Sequence, residues 1–171
     1  MLYLYLIIAA LVVLCIPYIR VICKRIQLLS KLEKLCKVSY SFRDMFLPTR
    51  FSRGFVIDDK YTVHIFTAYK RSEKIHLLPE SWRVEKRLRI VGVITIGTQR
   101  WYTEYRSYPD YIKENADNKL LLFNPAPHSI YDGDKNKIFG LNEGDKILGM
   151  EIVTASKLIE KIIKKQESTT R

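Results

Sequence analysis

Cysteine is scarce in this chain and odd in number: the three thiols, Cys15, Cys23 and Cys36, cannot all pair within one molecule, which excludes a secreted disulfide framework. Seven Gly and six Pro in 171 residues are too few for a collagenous or low-complexity chain. His64, His76 and His128 stand apart, with no C-x-x-C or H-x-x-x-H spacing, so no zinc site is written in the sequence. Walker, G-x-G-x-x-G and G-x-S-x-G patterns are all missing, which removes the usual sequence support for nucleotide binding and for a hydrolase elbow. No cofactor is expected. What is present, 47% apolar and 27% charged residues, suits one modest folded domain.

Charge is also missing from one end. Met1 to Ile19 carries no charged side chain, close to the ~20 residues that cross a bilayer as a helix. No Lys or Arg precedes the run and Cys15-Ile16-Pro17-Tyr18 is no A-x-A site, so a cleaved signal peptide is not the reading. The expectation is a transmembrane anchor over 1–19, with Tyr3, Tyr5 and Tyr18 near its ends as interfacial residues. From Arg20 to Arg53 nine Lys or Arg face two acids, +7 of the chain's net +11. Such a juxtamembrane excess predicts a single-pass protein of the cell membrane with its N-terminus outside and its body cytoplasmic. Arg20, Lys24, Arg25 and Lys31 become candidate contacts to anionic lipid headgroups.

After the anchor, Ile22, Ile26, Leu29, Leu32 and Cys36 recur at helical spacing, which predicts a basic amphipathic helix over 20–37. The period then shortens to that of strands. Val38–Phe42 alternates, and Gly54–Ile57 and Tyr61–Thr67 read as a hairpin around Asp58-Asp59-Lys60. Lys74–Leu78 and Arg83–Ile96 supply further strands, and Leu120–Phe123, stopped by Asn124-Pro125, reads as a strand buried on both faces. Short strands over 129–132, 137–141 and 146–154 precede a closing helix with Thr154 as N-cap and Leu158, Ile159, Ile162 and Ile163 on its face. The fold class is therefore α+β: a mixed-sheet domain over 38–166 with hairpins and a C-terminal helix, then a frayed tail over 167–171.

Two motifs invite chemistry. Asp132, Asp134, Asn136 and Glu143 match positions one, three, five and twelve of a calcium loop, but Lys137 replaces the turn Gly and the flanks read as strands. An ordinary Asp-Gly hairpin turn accounts for them. Gln99 to Tyr111 interleaves cations with rings, and with Trp82, Lys86 and the arginines before it forms a basic, aromatic stretch. Arg83, Arg87, Arg89, Arg100, Trp101 and Arg106 are candidate contacts for a nucleic acid or a protein partner; rings and guanidinium planes stack on unpaired bases, while Glu104 and Asp110 repel phosphates. The same rings also fill a groove between a helix and a sheet.

The order of basic helix, GFVIDDKYTVHIFTAYK hairpin, buried LLLFNPAP strand, NEGDKILG hairpin and ASKLIEKI helix resembles small bacterial single-pass membrane proteins of unknown function. Their soluble part looks like a degenerate restriction-endonuclease-like core. That likeness implies an Asp opening one hairpin strand and a Glu-x-Lys or Asp-x-Lys on the next. Here Gly54 and Ile65-Phe66-Thr67 occupy those places, so no catalytic residue carries over. The expected function is a membrane-anchored cytoplasmic interaction domain without catalysis, whose partner is a protein or anionic lipid; the alternative is a tethered nucleic-acid-binding domain of nuclease-like fold.

Overall fold

A computed structural model of the chain describes residues 2–47, 49–70, 72–88, 99–113, 118–134 and 137–169. In chain order the elements are α1 (Leu2–Leu32), β1 (Val38–Tyr40), α2 (Phe42–Phe46), β2 (Phe51–Ile57), β3 (Tyr61–Phe66), β4 (Lys74–Leu77), β5 (Ser81–Leu88) and β6 (Gln99–Ser107). There follow α3 (Asp110–Lys113), β7 (Lys119–Phe123), β8 (Ser129–Asp134), β9 (Lys137–Gly140), β10 (Lys146–Ile147), β11 (Met150–Val153) and α4 (Ala155–Thr169). The strands form two sheets, one ordered β1-β2-β3-β7-β11-β10 (sheet A) and the other β6-β5-β4-β8-β9 (sheet B).

Period-two alternation sorts the apolar residues into two cores. Val63 and Ile65 of β3, with Leu120 and Leu122 of β7 and Val153 of β11, meet Leu28, Leu29 and Leu32 of α1 and Leu158 and Ile162 of α4. Phe66, Leu121, Phe123, Met150 and Ile152, on the opposite face, meet Ile75, Leu77, Trp82 and Val84 of sheet B. The layers are thus helices, sheet A, sheet B. β7 lies between two parallel neighbours, β3 and β11, and all five of its residues are buried, which is why Leu120 to Phe123 is an unbroken apolar run after Lys119.

The pairing of β2 with β3 is irregular. Ser52 pairs with Ile65 and Phe55 with Val63, so β2 carries one residue more than β3 across this step. The extra residue is a β-bulge at Arg53-Gly54, opposite His64, and Gly54 takes the left-handed φ of +70° that such a bulge asks of a glycine. The bulge also reverses the alternation of β2: Phe51 faces sheet B, whereas Phe55 and Ile57 face the helices.

The N-terminal half departs from expectation. Among the described residues no helix is long and apolar enough to cross a membrane, which overturns the transmembrane anchor at 1–19. The physical reason is where the domain takes hold of α1. The Tyr18 ring lies 5.3 Å from that of Tyr69 and Val21 is buried, so the helix belongs to the domain from Tyr18 onward. The single-pass membrane assignment, and the cell-membrane location with an outside N-terminus and a cytoplasmic domain, rested on that span and fall with it.

The N-terminal run continues into the basic segment as one unbroken helix, which ends at Leu32 rather than near Lys37. Its inward stripe is Val21, Arg25, Leu28, Leu29 and Leu32; Ile26, expected inside, is exposed. The stripe is turned by one residue because Arg25 finds partners inside. The closing helix runs to Thr169, through most of the expected tail. Gln99–Ser107, read from sequence only as a basic, aromatic stretch, is a nine-residue strand. The strand expected over Arg83–Ile96 begins at Ser81 and is described to Leu88; residues 89–98 lie outside the described residues.

Candidate functional site

Two buried arginines join the layers. Arg25 is wholly buried, and its guanidinium donates to the carbonyls of Asp44 (2.6 Å) and Met45 (3.1 Å) and to the hydroxyls of Thr67 (2.7 Å) and Ser52 (3.4 Å). Burial pulls its pKa down to about 10, against the opposing pull of Tyr69 and Asp44. Arg25 is therefore a brace between α1, the end of α2 and sheet A, and is withheld from any lipid surface. Arg20, Lys24 and Lys31 are exposed.

Arg50, at the entry to β2, makes two hydrogen bonds to Glu73 (2.6 and 3.1 Å) and two to Glu104 of β6 (2.9 and 2.6 Å), and lies 4.4 Å over the Tyr69 ring. Burial alone would lower its pKa; the bonds to Glu104 and Glu73 reverse this and raise it. Glu104, which in sequence argued against anionic partners, is committed to this clamp between the sheets.

The candidate partner-contact residues lie on β5 and β6. Trp82 and Val84 point at sheet A, so alternation puts Arg83 and Glu85 on the other face of sheet B. Cross-strand register extends this face into rows: Tyr105, Arg83, His76 and Tyr131 across four strands, then Glu85, Lys74 and Ser129; in the backbone register Tyr102 pairs with Glu85 and Arg100 with Arg87. Arg106 pairs with Trp82 and is exposed, Trp101 pairs with Lys86, and Arg89 lies outside the described residues. His76 Nε2 is 2.9 Å from Glu85 Oε2, and an ionised carboxylate only accepts, so that nitrogen carries the hydrogen. Burial lowers the His76 pKa against the pull of Glu85, and its ring stacks 5.0 Å from Tyr131.

Among the described residues β6 is the outer strand of sheet B, with nine residues, whereas the other strands that end a sheet, β1, β9 and β10, have three, four and two. Tyr105, Arg106 and Ser107 are exposed along it. Unpaired edge amides and carbonyls template further strands, which is why natural proteins keep edges short or covered.

A second site lies at the bulge and was not singled out from sequence, where His64 passes for an ordinary residue of a hairpin face. Ser39, Tyr40, Asp44, Arg53, His64, Tyr111 and Lys119 are among the residues lining a cavity of about 510 Å³. His64 is 2% exposed and neither ring nitrogen has a hydrogen-bond partner; its ring stacks 5.7 Å from Tyr111, over which Arg53 lies at 5.0 Å. Burial, then the charges of Lys119 and Arg53, push its pKa down to about 4, so the imidazole is neutral at pH 7. The available signal was a His between Val63 and Ile65 in a strand buried on both faces. A cavity of about 480 Å³ under α4 differs: there Lys161 is paired with Glu151 and Lys165 with Asp58.

No group of three or more His, Cys, Asp or Glu among the described residues is placed to hold a metal. Asp132 and Asp134 belong to β8 in register with Phe139 and Lys137, a hairpin where a calcium loop needs helices. Glu143 instead accepts from the Thr154 hydroxyl (2.6 Å) and amide (3.0 Å) at the start of α4, which hold its carboxyl below the usual range. Asp58 and Asp59, the acids nearest the hairpin, pair with Lys165 and Lys37. No protein-family model matches the chain, and no curated protein and no solved structure is significantly similar to it.

Proposed function

We propose that the chain is a non-catalytic interaction domain that binds an extended, acidic segment of a protein partner along the outer edge of β6. The observation that carries this reading is the length of that edge, nine residues where the other sheet ends have two to four. A partner strand laid on it satisfies its outward amides and carbonyls, and alternate side-chain positions supply specificity. The acidic preference follows from Arg106, which is exposed on the strand. A second reading, single-stranded nucleic acid, is favoured by the pairing of Arg83 with the exposed Tyr105 across β5 and β6.

The test selects a displayed library of extended peptides against the purified chain and follows amide hydrogen exchange with the strongest binder. Acidic peptides that slow exchange within 99–107, and that bind at least ten-fold more weakly to the Arg100→Glu, Arg106→Glu variant, support the reading. Peptides that leave those amides unchanged overturn it. Steeply salt-dependent binding of an oligothymidine, with protection centred on β5 and β6, transfers the assignment to nucleic acid.

A further inference from the structure

The cavity at the β2 bulge has the features of a ligand site independent of the β6 edge. Its floor is His64, a buried side chain with two unpartnered ring nitrogens. A buried polar group without a partner costs about 1–3 kcal/mol and calls for an explanation. The strand pairing supplies part of one: with an extra residue in β2 at Arg53-Gly54, no residue of β2 stands in register with His64. Bulges of this kind re-aim a side chain and open a strand face. The residue re-aimed is Arg53, which lines the same cavity and forms no ion pair among the described residues, although Asp44 lines it too.

The charge balance indicates what the space takes. Arg53 and Lys119 bring two cations and Asp44 one anion, which leaves one positive charge in excess over a neutral imidazole. The Lys119 ammonium is held at the wall, donating to the Ile112 carbonyl at 3.3 Å. The positive field that disfavours a proton on His64 favours a negative group beside it. Tyr40, Tyr111 and Val56 offer apolar and ring surface beside the Arg53 and Lys119 charges, and about 510 Å³ lies within the usual range of small-molecule pockets.

We infer that this cavity binds a small ligand bearing a carboxylate or phosphate group, with Arg53 and Lys119 neutralising the oxyanion, the His64 N–H donating to it, and the ligand's apolar body lying against Tyr40 and Tyr111. No bond is made or broken in the step; the ligand supplies the partner that the imidazole lacks.

The experiment uses the full chain with four probes, acetate, benzoate, inorganic phosphate and phenyl phosphate, each compared with sodium chloride at matched ionic strength. Imidazole nitrogen resonances of labelled protein and the thermal midpoint are followed together. The expected result is saturable binding in which benzoate or phenyl phosphate exceeds its small counterpart, the His64 resonances shift, and the His64 protonation midpoint rises by at least one pH unit. Whether the carboxylate or the phosphate series binds more tightly identifies the oxyanion. Arg53→Gln, at an exposed position, is expected to weaken binding at least ten-fold, and His64→Phe to abolish it. Undisturbed His64 resonances with all four probes, or equal affinity in Arg53→Gln, overturn the inference and leave water as the occupant.

Discussion

A Cβ placed on Gly54 would lie 2.3 Å from the carbonyl oxygen of Val63, on the neighbouring strand, and 2.9 Å from Ile65 Cγ1. Backbone cannot yield as a flexible side chain does, and the φ of +70° adds about 1–2 kcal/mol for any L side chain. With the local overpacking of a tight core, about 1–3 kcal/mol, Gly54→Ala is expected to destabilise the fold by about 3 kcal/mol. Urea denaturation measures this; a variant within 0.5 kcal/mol of wild type, on the order of an ordinary surface change, would show that the bulge is not fixed by this contact.

Glu73 is 1% exposed and holds both terminal nitrogens of Arg50. Glu73→Gln keeps the shape but leaves the Arg50 charge balanced by Glu104 alone. Losing one member of a buried pair costs about 3–5 kcal/mol when nothing replaces it, and the second carboxylate brings the expected loss to about 2 kcal/mol. Because the group is out of reach of screening ions, the difference between variant and wild type should be the same in 0.05 M and 0.5 M salt. A difference that vanishes in high salt would mark the pair as a surface interaction.

Arg25 occupies a core position on α1 without a carboxylate among its hydrogen-bond partners. Arg25→Met fills the stripe with an apolar side chain yet leaves two carbonyls and two hydroxyls without the guanidinium donor. Four lost partners at about 1 kcal/mol each, less the relief of desolvating one charge fewer, give an expected loss of about 3 kcal/mol. Arg25→Lys should recover only part of it, since one ammonium cannot reproduce the fork. Equal or greater stability of Arg25→Met would mean instead that the buried charge is a net cost, as some buried ion pairs are.

Legibility in the sequence depended on which residues obey pattern rules. Leu120–Phe123 and the α4 face were readable because their side chains do only one thing, bury apolar area, and the period reports it directly. Arg25 was misread for the converse reason: a charged residue on an inward stripe breaks the pattern, and its compensating carbonyls, those of Asp44 and Met45, come from nearly twenty residues away. The strand at 99–107 was hidden by a similar mixture, with Glu104 turned inward to Arg50 and a bulge that upsets its alternation. Of the His64 cavity only the His between Val63 and Ile65 was legible; the space beside it depends on one surplus residue in the pairing of β2 with β3 and on Tyr111 arriving from α3.

His64 also gives the fold a pH dependence with a definite sign. In the unfolded chain the imidazole titrates near its ordinary value of 6.5, while in the folded chain it binds a proton only near pH 4. Between these values the unfolded state binds more protons, so stability is lost as pH falls through the window from about 6.5 to 4. At ~1.4 kcal/mol per pH unit, the loss approaches about 3 kcal/mol at the bottom of the window. His76 shifts in the same direction and contributes with the same sign, so wild type alone does not isolate the effect. The quantity to measure is the difference in unfolding free energy between wild type and His64→Phe at each pH from 7 to 4, since His76 is common to both. Asp44, on the same cavity wall, is also common to both. That difference should move in favour of the variant, by about 1 kcal/mol near pH 5.5 and by more at pH 4.5. A difference that stays constant across the range would show that the His64 ring is hydrated in solution, and would weaken with it the case for an unpartnered imidazole at the cavity floor.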